Sequence, residues 1–253
     1  MKKFEKIILF FLLLNSFSIY SDELLDADEA YMLHDYSTAF SLYEKLSEEG
    51  DVSAQFSLAM MYDAGLSVSQ DYKQAFYWYK KAAEQGVAQA QYNIGIMYIN
   101  GEYRDKDSIK ENYEQAFNWY KSAAEQGLVE AQVNLGYMFK NGQGTLRDYK
   151  QALHWFKKSA EQGDVKAQIN LGEMYKNGHG VARDYVEAHK WFNIALENGS
   201  ELSITYINHI SNNMTPSHIE TAQKLASAWV EKHSNYNEED KSSNGLSDYH
   251  EEM

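Results

Sequence analysis

The chain has no cysteine. Disulfides, thiolate zinc sites and a cysteine nucleophile are therefore excluded. It has a single proline, Pro216, in 253 residues, so little in it interrupts a helix. No long run of β-branched residues suggests a buried strand. Basic residues are scarce beside acidic ones, 23 against 37, giving a formal net charge of −14. A chain this acidic is not suited to a nucleic-acid backbone, which needs clustered Lys and Arg. Anionic membrane surfaces would repel it as well. The acidity is read as solubility. What is present is apolar and aromatic, including 20 Tyr and 5 Trp, enough to bury a core.

Residues 1–21, "MKKFEKIILFFLLLNSFSIYS", hold the one apolar run. Lys2, Lys3 and Lys6 precede Ile7–Leu14, and small polar residues follow. This is the layout of a secretory signal peptide, and the run is short for a membrane span. Cleavage is expected near Ser21 or Ser18, leaving a more acidic, exported chain in the periplasm or medium. No cysteine follows to carry a lipid. An uncleaved N-terminal anchor is the competing reading.

The rest of the chain repeats. "AQFSLAMMY", "AQYNIGIMY", "AQVNLGYMF" and "AQINLGEMY" begin at Ala54, Ala90, Ala131 and Ala167, in steps of 36, 41 and 36 residues. Each is followed by a second segment such as "DYKQAFYWYKKAAEQG", and "DYSTAFSLYEKLSEEG" at 35–50 is a degenerate earlier copy. Fixed-period similarity of this length is the signature of a repeat architecture. Apolar residues in the first segment fall on one helical face. Gly95, Gly136 and Gly172 lie inside that helix, where glycine costs up to about 1 kcal/mol against alanine. The compensation expected is a partner helix so close that a methyl would collide; Ala59 holds the same place in the first full copy. In the second segment Asp71, Asn112, Asp148 and Asp184 are expected N-caps. Gln74, Gln115, Gln151 and Glu187 stand three residues later, in capping-box spacing. Gly86, Gly127, Gly163 and Gly199 should close these helices in the left-handed conformation. Trp78, Trp119, Trp155 and Trp191, mid-helix, need stacked neighbours to cover them.

The composite pattern A-x-x-x-LG-x-x-Y-x-x-G-x-G-x-x-x-DY-x-x-A-x-x-WY-x-KAA-x-QG closely resembles the Sel-one-like repeat, a relative of the tetratricopeptide repeat, over about residues 23–232. The resemblance implies an all-α fold: an α-solenoid of helix-turn-helix repeats forming a right-handed superhelix. The expected organisation is a signal peptide (1–21), a degenerate N-terminal repeat (22–53) and four repeats (54–89, 90–130, 131–166, 167–199). A degenerate repeat with a C-terminal capping helix (200–233) and a disordered acidic tail (234–253) complete it. The capping helix is expected to use Thr215 as N-cap and Pro216 as N1. Five extra residues in "GEYRDKDSIKENY" fall between helices, where a loop grows cheaply.

The family implies protein binding. Its members act as adaptors for complexes, and exported bacterial members take part in envelope processes or host interaction. Cys-rich relatives are linked to penicillin binding and β-lactam hydrolysis, but their hallmark is a disulfide per repeat, which this chain lacks. No catalytic residue, metal site or cofactor is expected. The eight histidines form no H-E-x-x-H or similar ligand pair and are read as surface or loop residues. No G-x-S-x-G, S-x-x-K or P-loop motif occurs. The corner "NGHG", with His179, has glutamine in its sister "NGQG", so the histidine belongs to no shared chemistry.

If the first helices line a concave face, three rows matter. A polar row is Ser57, Asn93, Asn134 and Asn170. An apolar row is Phe56, Tyr92, Val133 and Ile169. A varied row is Met60, Ile96, Tyr137 and Glu173. In related tetratricopeptide clamps an asparagine at this position holds the backbone of an extended peptide, and an amide offers both donor and acceptor. The apolar row would then supply side-chain pockets. Alternatively the asparagines bridge helices and the apolar row is core. The expected partner is a protein or peptide, bound by a monomer, with no nucleic acid and no membrane once the leader is removed. A cell-wall hydrolase and a self-assembling envelope spacer are the competing functions.

Overall fold

The repeats become helix pairs in the computed structural model, which describes residues 23–101 and 109–243. The expected leader, and the last ten residues of the expected tail, lie outside the described residues. Twelve helices and no strand occur among those described. They are α1 (23–32), α2 (Tyr36–Glu49), α3 (Val52–Ala64), α4 (Tyr72–Glu84), α5 (Ala88–Asn100) and α6 (Ile109–Glu125). Then follow α7 (Val129–Asn141), α8 (Tyr149–Glu161), α9 (Val165–Asn177), α10 (Tyr185–Glu197), α11 (Leu202–Ser211) and α12 (Pro216–Ser243). The chain forms two units, one ending at Leu128 and one starting at Val129. Within each, every helix from α2 to α6 and from α7 to α11 packs on the next, and α12 packs on α10. This is an all-α solenoid of helical repeats.

Three devices recur among the repeats. The first locks the pair. A Cβ on Gly95 would stand 2.5 Å from the Tyr120 ring, one on Gly136 2.7 Å from Phe156, and one on Gly172 2.6 Å from Phe192. The missing methyl is therefore the seat of a buried aromatic ring on the second helix. The tryptophan beside that ring is buried only at Trp155 and Trp191; Trp78 and Trp119 remain partly exposed.

The second device is the cap. Asp71, Asp148 and Asp184 each accept from two backbone N–H groups of the following turn at 2.8–3.1 Å. The reciprocal half of the expected capping box is not what ties the other side. The cap residue's own N–H donates to the first helix instead, to the carbonyls of Tyr62, Phe139 and Tyr175 at 2.9–3.0 Å. With that donor satisfied, Glu187 is released to pair with Lys190 at 2.7 Å. Asn112 is not a cap at all: α6 begins at Ile109, so the insertion lengthens the helix and carries Asn112 inside it. The closing glycines behave as expected, with φ of +96° at Gly86 and +94° at Gly163.

The third device joins successive repeats. Gln55, Gln91, Gln132 and Gln168, the glutamines of each Ala-Gln pair, are buried. Gln55, Gln91 and Gln168 donate to the carbonyls of Ser47, Ala83 and Ala160 at the end of the preceding second helix, at 3.1–3.3 Å. The oxygens of all four accept from Gln85, Gln126, Gln162 or Asn198 at the end of their own repeat, at 2.8–3.1 Å. A buried amide so satisfied fixes the register of three helix ends at once.

The C-terminal end is closed by α12. The Thr215 hydroxyl accepts from the His218 N–H at 3.2 Å, and Trp229 covers Trp191 edge-on at 5.8 Å. The helix runs to Ser243, ten residues into the segment expected to be disordered. Between Pro216 and Gly245 the sequence holds no proline or glycine, so nothing local stops propagation.

Candidate partner-binding face

The three rows on the first helices differ in what the fold already asks of them. The apolar row is turned to packing. Phe56 lies 5.7 Å from the Tyr79 ring and Tyr92 5.6 Å from Tyr120, each on the second helix of its own repeat. Val133 is buried in the core with Phe156, and Ile169 packs against the Phe192 and Ile210 cluster. Val133 therefore drops out as a surface contact. The other three keep only part of their surface.

The polar row bridges repeats. Ser57 and Asn93 stand near the Tyr43 and Tyr79 hydroxyls of the preceding second helix, and the Asn93 oxygen accepts from the Gln89 amide at 3.4 Å. Asn170 is 5% exposed and fully used. Its amide donates to the Tyr137 hydroxyl at 2.6 Å and to the Lys166 carbonyl at 2.9 Å, and its oxygen accepts from the Lys140 ammonium at 2.9 Å. It cannot also hold a peptide backbone. Asn134 differs: it is half-buried and makes no side-chain hydrogen bond among the described residues.

The varied row stays partly exposed, and its Met60 and Ile96 have no polar group to commit. Met60, Ile96, Tyr137 and Glu173 are all half-exposed. Tyr137 stands edge-on to Phe156, ring centres 5.2 Å apart. Burial pushes its hydroxyl above the usual phenol range, against the Asn170 hydrogen bond, so it acts as a neutral polar group. Glu173 faces Lys140 at 3.4 Å. Lys140 was not among the residues picked from sequence, although its recurrence as Lys176, 36 residues on, was there to be seen.

The suspected corner is architectural. The His179 ring stacks on Tyr149, centres 4.5 Å apart and nearly parallel. A Cβ on Gly180 would strike the Tyr149 backbone. One histidine departs from the surface reading: His189 is 1% exposed. Its Nδ1 pairs with Asn193 at 2.6 Å, its Nε2 has no partner, and burial lowers its pKa. No cluster of three metal-binding side chains exists among the described residues.

Comparison with known proteins fits this geometry. The Sel1 repeat profile matches residues 28–51, 52–87, 88–128, 129–164 and 165–200. The chain is similar to a Sel1 repeat protein of Oxalobacter formigenes: 29% identity over 82% of this chain and 84% of that one, TM-score 0.69. It is also similar to c5321, a protective antigen present in uropathogenic Escherichia coli strains that displays an SLR fold. There the identity is 27%, the TM-score 0.57 and the coverage 92% of this chain, which spans only 58% of that longer protein. No curated protein matches the chain.

Proposed function

Because the chain belongs to the Sel1 repeat family, whose members are generally non-catalytic scaffolds that mediate protein interactions, we propose that it is an exported, monomeric scaffold. It holds a protein or peptide partner on the face of its first helices, in an envelope process or in contact with a host. The observation that carries this is the varied row. The caps, the Gly–aromatic locks and the glutamine bridges repeat almost unchanged, while Met60, Ile96, Tyr137 and Glu173 change chemistry from repeat to repeat and remain half-exposed. A frame that repeats and a surface that does not is how a solenoid acquires one specific partner. Asn134, free to offer a donor and an acceptor, extends that surface.

Export rests on Lys2, Lys3, Lys6 and the Ile7–Leu14 run. The host-facing part of the reading is supported by c5321 being a protective antigen. Capture of the native partner is expected to weaken about tenfold or more for Met60→Ala, Ile96→Ala and Asn134→Ala, as for central contacts of an interface. Melting should stay within a few degrees of wild type. Lys150→Gln, on the exposed second-helix side, should bind normally. Variants that lose folding along with capture would assign these residues to structure. Pure protein should turn over neither nitrocefin nor peptidoglycan.

A second reading has its own observation. Leu25, Met32 and Leu33 at the N-terminal end are 64–72% exposed, a surface that could join copies end to end. A concentration-dependent mass in light scattering, abolished by Leu33→Glu, would favour it.

A further inference from the structure

The charge pairing seen at Lys140 fails one repeat later. Lys176 is the counterpart of Lys140 at an offset of 36 residues, and the two residues that meet Lys140, Asn170 and Glu173, have Tyr206 and His209 as counterparts. The register holds because Ala167 and Ser203, and likewise Met174 and Ile210, are buried at matching places. So where the interior joint presents an acid to the lysine, the last joint presents a histidine. Lys176 lies over the Tyr206 ring at 5.7 Å and makes no ion pair among the described residues.

The replaced acid leaves an open pocket of about 230 Å³ lined by Lys176, Arg183, Tyr185, His209 and Asn213, among others. Its lining includes no carboxylate. The acids nearest in sequence are committed elsewhere. Asp184 accepts the Val186 and Glu187 N–H groups, Glu187 pairs with Lys190, and Glu173 with Lys140. Arg183 rests over the Tyr185 ring at 5.5 Å, which holds the guanidinium in place and leaves its fork of donors for a planar acceptor. Gathering Lys176 and Arg183 in a pocket whose lining holds no carboxylate is unfavourable, and Glu173, within electrostatic reach of Tyr206, is already paired with Lys140. It is the more notable in a chain with 37 acids to 23 bases.

We propose that this pocket binds a carboxylate of an acidic peptide segment. Arg183 takes it as a two-pronged acceptor, Lys176 supplies the point charge, and Asn213 and His209 donate at the rim. The assignment rests on the scaffold reading and names the chemistry of its partner at the last joint.

The test is a calorimetric titration of the full-length chain with N-acetylated, C-amidated hexaglutamate, with hexaglutamine as the neutral probe. Hexaglutamate should bind, weaken steeply as salt rises, and lose about tenfold or more in Arg183→Gln, as expected for a charged hydrogen-bonded contact. His209→Glu, which places an acid opposite Lys176 as Glu173 stands opposite Lys140, should lose binding as strongly while melting no lower than wild type. Lys150→Gln should bind within about twofold of wild type. No binding of hexaglutamate, or binding indifferent to Arg183→Gln and His209→Glu, overturns the proposal. So does inorganic phosphate that displaces the peptide at equal concentration with the same variant losses, because the pocket would then be a small-oxyanion site. Loss of hexaglutamate binding with capture still sensitive to Asn134→Ala removes the pocket and leaves the scaffold reading standing. Hexaglutamate bound as predicted, with capture indifferent to Met60→Ala, Ile96→Ala and Asn134→Ala, removes the first-helix face instead.

Discussion

Helices α9 and α11 occupy equivalent places one repeat apart, yet only two of their contacts are shared. Both bury a small residue early, Ala167 or Ser203, and an apolar residue in the last turn, Met174 or Ile210. Elsewhere they diverge. Gly172 in α9 seats the Phe192 ring, and its counterpart in α11 is the exposed Asn208. Gln168 bridges two helix ends, and its counterpart Ile204 is 48% exposed. Glu173 quenches a lysine, and its counterpart His209 lines an open cationic pocket. The difference teaches which features a repeat needs to be a repeat. Two buried anchors, with Tyr206 and Ile207 packed beside them on the Phe192 cluster, dock the helix. The glutamine bridge occurs in every full repeat and the glycine seat in three of the four, while the Lys140–Glu173 pair belongs to one joint alone.

That contrast can be broken at its strongest point first. Gly172→Ala forces a methyl against a fully buried ring, and overpacking should outweigh the gain in helix propensity, for a net loss of about 2 kcal/mol. Asn208→Ala, at the equivalent exposed place, should move stability by less than about 0.5 kcal/mol. Equal losses in urea titrations would show that α9 and α11 are packed alike.

A smaller effect concerns α10, on which both α11 and α12 pack. His189 stands where α8 has Leu153, and it is buried with an orphaned Nε2. Its folded pKa is lowered by burial. A lowered pKa means the unfolded chain binds the proton more readily. His189 therefore costs no stability from protonation above the ordinary histidine pKa of about 6.5, and stability is lost as pH falls below it. Restoring the interior residue with His189→Leu should gain about 1 kcal/mol at pH 7 and flatten the decline between pH 7 and pH 5. A slope unchanged by that substitution would place the acid sensitivity elsewhere.

The smallest effect tests the pairing itself. Glu173→Gln should cost about 0.5 kcal/mol, as for a partly exposed ion pair, and His209→Glu should gain a similar amount by giving Lys176 a partner. Thermal melts at low and high salt check both, since the differences should shrink as salt screens them.

Much of this frame was legible in the sequence because the frame is what recurs. Gly95, Gly136 and Gly172 pointed to close approach before the rings they seat were known. Asp71, Asp148 and Asp184 announced the second helices, and Gly86, Gly127, Gly163 and Gly199 their ends. Asn112 misled because the cap signal is local, whereas the inserted residues let the helix start a turn earlier. The glutamine of each Ala-Gln pair served as an alignment mark, and its role went unread. A buried amide looks like a surface amide until its partners, about 30 residues away, are placed. The candidate face was harder for the same reason. Periodicity put Asn93, Asn134 and Asn170 in one row, but only the positions of Tyr79, Tyr137 and Lys140 separate a bridging asparagine from an available one.

The central claim is that the repeating frame serves folding while the varied first-helix surface serves recognition. It is tested most directly by placing a photo-crosslinking residue at Met60, Ile96 or Asn134, and in parallel at Lys80 or Lys157 on the exposed second helices. Irradiation would be done in the native cells. The account predicts one shared adduct of defined mass from the three first-helix positions and none from the two lysine positions. Adducts of equal yield from both sets, or from the lysine positions alone, would contradict it.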